Sequence, residues 1–230
     1  MGKSKGHGKA SGSGKKQPAS VKSASKTALA AEPAAGPSRV FLLRHGESEA
    51  NASRVDVPDA LLTAVGRVQA SAWKGTIGKF GAECVIISPL RRAIETALLA
   101  FDGISDVPFE ICRHARELWW DEQANTLSSP EVVYKLLGSL PRGDDVCGVE
   151  QALAETADCP LSESESIEAM KHALAVRSEA CVMVVCHWGV INSLCGEGAD
   201  NCTLVECRRN AHGKLIVERC HDPPRAPKTR

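Results

Sequence analysis

The sequence predicts an α/β fold, a three-layer α/β/α sandwich built on a mostly parallel mixed sheet. Three observations predict it. Short uninterrupted apolar runs recur, with Arg39-Val40-Phe41-Leu42-Leu43, Cys84-Val85-Ile86-Ile87 and Cys181-Val182-Met183-Val184-Val185-Cys186 the clearest. Segments with helical periodicity separate them. Each run ends abruptly on polar residues, Arg44-His45, Ser88 and His187. Strands that are apolar on both faces belong to a sheet covered by helices on both sides.

The elements follow in chain order. The run from Arg39 is the first buried strand. Thr63 is placed to cap a helix in which Leu62, Val65, Gln69, Ala72 and Trp73 approximate one face. The run from Cys84 is a second buried strand, rich in β-branched residues. Ser88-Pro89 then offers a cap and a proline at the first helical position, and Leu90, Ile94, Ala97 and Leu98 form one apolar stripe. Residues Phe109 to Leu118 are expected as a third strand. The stretch 119 to 161 is less regular, with a short helix opening at Ser129-Pro130. Ser162-Glu163-Ser164-Glu165 matches a capping box, and Ile167, Met170 and Leu174 give the helix after it a buried side. The run from Cys181 is the most strongly buried strand. Thr203 to Cys207 and Leu215 to Val217 are expected as a closing hairpin.

At 230 residues the chain is long enough for one sizeable core and a tail. No apolar stretch approaches the roughly 18 residues that span a bilayer, so no membrane association is expected. The net charge of +0 hides an asymmetry. Seven lysines and one glutamate give residues 1 to 38 a balance of +6, so the remainder is mildly acidic. The expected organisation is a disordered basic Gly/Ser/Ala/Lys-rich arm over 1–38, a folded domain over 39–222 and a tail over 223–230. The arm has no aromatic residue for base stacking, which argues against specific nucleic-acid recognition. Gly6 stands where a myristoylation signal wants Ser or Thr. None of the 10 cysteines forms a C-x-x-C pair, and many lie inside apolar runs. With no secretory apolar region at the start, a reducing cytoplasmic setting is expected, organelle targeting by the arm being the alternative.

In an open parallel sheet, ligands bind beyond the carboxyl ends of the strands. Arg44-His45, Ser88 followed by Arg92, Glu117 and His187 are expected there. Two histidines, two arginines and a carboxyl group suit phosphoryl transfer. Guanidinium groups grip a phosphate dianion through paired N–H donors. A neutral imidazole is a competent nucleophile. The second histidine, if cationic, donates to the oxygens in the transition state. A carboxyl group kept neutral by its surroundings can protonate the leaving alkoxide. Each residue also has a plainer reading. One Arg-His-Gly triplet is a weak signal, Arg91 and Arg92 could be solvated helix positions, and Glu117 one more surface carboxylate. The ordered combination at strand ends favours the chemical reading. Cys186 beside His187 suggests a thiol nucleophile, but it continues a buried strand.

These residues resemble the histidine phosphatase superfamily, also called the phosphoglycerate mutase-like family. Leu43-Arg44-His45-Gly46-Glu47-Ser48 with Asn51 is similar to its signature, and Leu62-Thr63, Gly66 and Gln69-Ala70 follow suit. Ser88-Pro89-Leu90-Arg91-Arg92-Ala93 resembles the second block and His187-Trp188-Gly189-Val190-Ile191 the last. The likeness runs from about Val40 to Val205. It implies His45 as the phosphorylated nucleophile and Arg44, Arg92 and His187 as phosphate ligands. Asn51 would line the substrate side, and Glu117 would be the proton donor. Alanine replaces the usual leucine two residues before Glu117, so Asp121 and Glu122 stand as fallback acids. The resemblance implies neither metal nor cofactor. It implies a phosphomonoester hydrolase acting on a phosphorylated small molecule or phosphoprotein. The mutases' E-R-x-Y-G stretch and long insertion are missing. A phosphoryl-transferring mutase and a phospho-ligand binding module remain the alternatives. The Trp119-Trp120 pair is read as core or as an apolar pocket wall.

Overall fold

The computed structural model describes residues 36–54, 56–154 and 162–224. The lysine-rich arm, except its last three residues, and most of the C-terminal tail lie outside them, as does Cys159.

Seven strands form one mixed sheet: β1 (Arg39–Arg44), β2 (Cys84–Ile87), β3 (Phe109–Ile111), β4 (Val146–Cys147), β5 (Cys181–Cys186), β6 (Leu204–Arg209) and β7 (Leu215–His221). Their order is β4-β3-β2-β5-β1-β6-β7. From β4 to β1 every pairing is parallel, and β6 and β7 add two antiparallel pairings. The expected mostly parallel sheet is present, with its final hairpin as the antiparallel edge.

The strands are buried on both faces, and their alternation divides the core in two. Phe41, Leu43, Val85, Ile87, Met183 and Val185 point one way. They meet Ala70, Trp73 and residues of three helices: α3 (Arg91–Ala100), α4 (Pro130–Leu137) and α5 (Val149–Ala154). Val40, Leu42, Cys84, Ile86, Val182, Val184 and Cys186 point the other way. They pack on Ile167, Met170 and Leu174 of α6 (Glu163–Ala175) and on Val190, Ile191 and Leu194 of α7 (Trp188–Cys195). Helices therefore cover both faces, which completes the three layers. Among the described residues no helix is long and apolar enough to cross a membrane.

Thr63 caps α2 (Ala64–Ser71), Ser162 and Glu165 form the reciprocal box that opens α6, and Pro130 begins α4. Three local expectations fail. Leu90, not Ser88, is the N-cap of α3, which opens at Arg91, and the Ser88 hydroxyl lies against His187 while accepting from Leu90 N. Val65 is 54% exposed and Val68 64%, since α2 faces the body through Gly66 and Ala70. The strand expected from Phe109 to Leu118 stops at Ile111, and a 3-10 turn over Arg113–Ala115 carries the chain on towards Glu117.

Candidate active site

The carboxyl ends of three adjacent strands, β2, β5 and β1, deliver Ser88, His187 and His45. The backbone N–H of His45 extends the ladder to Cys186 O at 3.0 Å, and that of Ser88 reaches Val185 O at 3.0 Å. Ladder bonds past the strand ends fix where both side chains start.

His45 is buried, with Nδ1 2.7 Å from Gly46 O. A carbonyl only accepts, so Nδ1 carries the hydrogen and Nε2 the lone pair; the tautomer follows from the network. Arg92 donates its Nε–H to that Nε2 at 3.3 Å. Burial, then the charges of Arg92 and Arg44, hold His45 well below the ordinary imidazole range. The imidazole is neutral, as a nucleophile must be.

The loop carrying His45 is held against α2 backbone to backbone. A Cβ on Gly46 would lie 2.6 Å from Gly66 O, and one on Gly66 only 2.0 Å from Glu47 O. Thr63 Oγ1 accepts from Gly66 N at 3.0 Å and donates to Glu47 Oε1 at 2.7 Å. Gln69 Oε1 accepts from Glu47 N at 2.8 Å. Thr96 Oγ1 accepts from Gly46 N at 3.0 Å and donates to Arg92 O at 2.7 Å, tying the loop to α3. The Thr63, Gly66 and Gln69 cluster of the sequence thus positions His45.

Arg92 sits in the first turn of α3 and is buried. Besides His45 it donates to Ala124 O at 2.6 Å and to Asn125 Oδ1 at 2.7 Å. Burial pushes its guanidinium down to about 10, which leaves it charged at neutral pH. The neighbouring Arg91 is engaged elsewhere, in an ion pair with Asp59 at 3.1 Å. Arg44 donates to Ala199 O at 2.8 Å, while its Nε is buried without a hydrogen-bond partner among the described residues.

His187 is fully buried, its ring centroid 5.0 Å from that of His45. Its Nε2 lies 2.7 Å from Ser88 Oγ, which also accepts from Leu90 N at 3.3 Å. The Ser88 hydroxyl can donate to Nε2, and in the tautomer this selects, Nδ1 carries the N–H. That buried Nδ1 has no partner among the described residues. Burial, then Arg92, His45 and Arg44, push His187 well below the imidazole range. The conditional expectation of a cationic second histidine gives way to a neutral ring, because burial first, and then the neighbouring charges of Arg92 and Arg44, disfavour the cation.

Glu117 is buried and accepts from Leu118 N at 2.9 Å and Gly189 N at 3.1 Å. Burial raises its carboxyl, and the two N–H donors, Arg92 and Arg44 only partly oppose the rise. Of the fallback acids, Glu122 lines the same cavity, while Asp121 is exposed and outside that lining. Cys186 is fully buried, and desolvation pushes its thiol far up, which keeps it protonated.

A cavity of about 560 Å³ is lined by Arg44, His45, Asn51, Arg92 and Glu117 among others, while fully buried His187 lies behind His45, outside that lining. Asn51 stands at its mouth, exposed, with Oδ1 accepting from Ser48 N at 3.3 Å in the cap of α1 (Glu49–Ser53) and from Asn201 Nδ2 at 3.3 Å. Two residues escaped the sequence reading. Asn125 holds Arg92, and its Nδ2 donates to Leu118 O at 2.9 Å and Trp119 O at 3.1 Å. Asn201 donates to His45 O at 3.0 Å. Neither sits in a motif, so nothing in the sequence marked them.

The family model described as the histidine phosphatase superfamily (branch 1) matches residues 40–215. Among solved structures, an alpha-ribazole phosphatase from Shigella flexneri is similar at 18% identity and a TM-score of 0.56, covering 83% of this chain and 100% of its own. A candidate alpha-ribazole-5'-P phosphatase from Escherichia coli K-12 gives 21% and 0.57, covering 81% of this chain and 98% of its own. A mutant phosphoserine phosphatase from Entamoeba histolytica, in complex with phosphoserine, gives 19% and 0.51, covering 79% and 95%. At such identities these structures share the fold. No curated protein matches the sequence. The match over most of the folded chain is decisive: the protein belongs to the histidine phosphatase superfamily, branch 1.

Proposed function

We propose that the protein hydrolyses phosphomonoesters through a phosphohistidine on His45, with no metal ion in the chemical step. One observation carries the reading: the Nε2 lone pair of His45 is held against the Arg92 guanidinium, with Nδ1–H locked on Gly46 O. A buried nitrogen nucleophile so placed suits a phosphorus centre gripped by the same arginine.

In the first half-reaction a phosphate oxygen takes over the Arg92 Nε–H, which frees the Nε2 lone pair; Nε2 then attacks phosphorus and the bond from phosphorus to the ester oxygen breaks. Glu117, whose carboxyl is shifted by burial towards the protonated form, gives its proton to that oxygen and the alcohol departs. The phosphorylated ring keeps its Nδ1–H on Gly46 O. Charge on the equatorial oxygens is met by Arg44, Arg92 and the His187 Nδ1–H. Arg44 Nε and His187 Nδ1, without a partner among the described residues, suit this task, since a buried unsatisfied donor costs about 1–3 kcal/mol and a phosphate oxygen satisfies it. In the second half-reaction Glu117 takes a proton from water, the oxygen attacks phosphorus, the P–N bond breaks and inorganic phosphate leaves.

Cytoplasmic residence and a phosphorylated small molecule or phosphoprotein substrate belong to the same proposal. The test is rapid-quench turnover of a phosphorus-labelled aryl phosphate with EDTA present. Label should appear on the protein and then as inorganic phosphate. Full activity in His45→Ala, or loss of activity with EDTA, overturns the scheme. Label passed to another organic acceptor would point to a mutase.

A further inference from the structure

The adjacent tryptophans have different fates. Trp120 packs on the Arg116 guanidinium, 4.8 Å from its ring centroid. Trp119 instead lines the phosphate cavity together with Trp188, the residue after His187. The two indoles stack with centroids 6.2 Å apart and planes 23° apart, yet Trp119 stays 43% exposed and Trp188 39%. A soluble surface rarely leaves two large rings this open beside a charged cavity without use.

The backbone is bent to keep Trp119 there. Its φ is +59°, a left-handed conformation that bulky residues seldom adopt. Its N–H is anchored on the Glu163 carboxylate at the start of α6. Its carbonyl accepts from Asn125 Nδ2 at 3.1 Å. Gly189 leaves the space: a Cβ there would lie 2.6 Å from Glu117 Oε1 and 3.2 Å from Trp119 Cζ3. The Glu117 carboxyl and the edge of the Trp119 indole therefore abut the same glycine. Trp188 precedes that glycine, and Trp119 follows Glu117 by two residues.

We infer that the organic part of the substrate is a flat aromatic ring, which stacks on the open surface of Trp119 and Trp188. The inference rests on the proposed phosphohydrolase reading, because an ester oxygen protonated at Glu117 brings its attached carbon beside these indoles. Flat rings gain from stacking on indole beyond the area they bury, and aliphatic groups of equal size do not. Phosphate held by the arginines and a ring held by the indoles define an aryl or heteroaryl phosphomonoester. The ring's source can be a free aromatic metabolite or a phosphotyrosyl side chain, which share this chemistry.

Equilibrium titration of the full chain with uncleavable phosphonates tests it. Benzylphosphonate should bind about fivefold more tightly than cyclohexylmethylphosphonate, which matches it in size but is not flat. The ratio should fall to about one in Trp119→Ala and Trp188→Ala, and Trp119→Phe should retain most of it. Inorganic phosphate reports whether each variant is folded with its cavity intact. A peptide bearing phosphonomethylphenylalanine forms the second arm. Binding of that peptide at least as tight as benzylphosphonate supports a phosphotyrosyl source, and weaker binding a free aromatic one. Equal affinity for the flat and non-flat phosphonates, or a ratio that survives both alanine variants, overturns the inference and leaves the hydrolase reading standing. Failure of phosphate and all phosphonates to bind overturns both.

Discussion

Arg92 donates to Nε2 of His45 at 3.3 Å, while the far side of its guanidinium is fastened to Ala124 O at 2.6 Å and Asn125 Oδ1 at 2.7 Å. One planar group is thus held beside Nε2, where the proposed reaction puts phosphorus, and is kept from turning away. Lysine keeps the charge but has no fork to span three acceptors. Arg92→Lys should lower kcat/KM by about 10²–10³-fold and weaken inhibition by inorganic phosphate. Steady-state kinetics with phosphate as a product inhibitor measures both. A variant within threefold of the parent would remove Arg92 from the phosphate grip.

Asn125 touches no reacting atom in this arrangement and acts through Arg92. Asn125→Leu keeps the size but leaves the Arg92 terminal nitrogen without its acceptor and the carbonyls of Leu118 and Trp119 without their donor. Unfolding free energy should fall by about 1–3 kcal/mol, the cost of buried groups left unpaired. A merely structural role would stop there, with KM and phosphate inhibition of the folded fraction unchanged. Positioning of Arg92 predicts instead that both constants rise several-fold, and Asn125→Asp, which retains Oδ1, should recover part of the loss. Denaturant melts set against inhibition constants separate the two.

The rim was legible in the sequence for a physical reason. A buried parallel strand is a continuous apolar run, so the first polar residues after it mark the sheet edge where ligands bind, and Arg44, His45, Ser88 and His187 all follow such runs. Glu117 was placed by the wrong element, a long strand, although it reaches the rim by a 3-10 turn. Asn125 and Asn201 were silent because their work is done across the fold, from irregular segments without periodicity. Val65 shares a helical face with Leu62 and Trp73 yet is exposed, because periodicity cannot tell a helix packed through valine from one packed through glycine. The two-residue strand Val146–Cys147 carries too few residues to show any pattern.

Gly66 is the sharpest test of that close packing. Its hydrogen faces the backbone of Glu47, where a methyl group would meet the carbonyl oxygen at 2.0 Å and the amide nitrogen at 2.9 Å. Both contacts are backbone, so neither can rotate aside. Gly66→Ala should force α2 from the His45 loop and lower stability by about 1–3 kcal/mol, even though alanine favours helices. Activity should fall as well, because Glu47 and Gly46 share that loop with His45. Thermal melts read the first effect and kcat/KM the second. An unchanged melting temperature would show that the loop and α2 are not in contact in solution.

The pH profile tests the acid. Turnover in this scheme requires neutral His45 and protonated Glu117. His45 is held well below the imidazole range, so the acid limb, where His45 gains a proton, lies below that range. Glu117 is raised above the usual carboxyl range, so kcat/KM falls as pH rises through that elevated value. The enzyme should therefore favour acidic over alkaline solution. Glu117→Gln removes the titrating group, so its alkaline limb should disappear. Its rate on an alkyl phosphate should drop about a hundredfold or more, since the alkoxide then leaves without a proton. A nitrophenyl phosphate, whose leaving group needs little help, should suffer far less. An alkaline limb that persists in Glu117→Gln would transfer the role to another acid, and Glu122 is the carboxylate that shares the cavity.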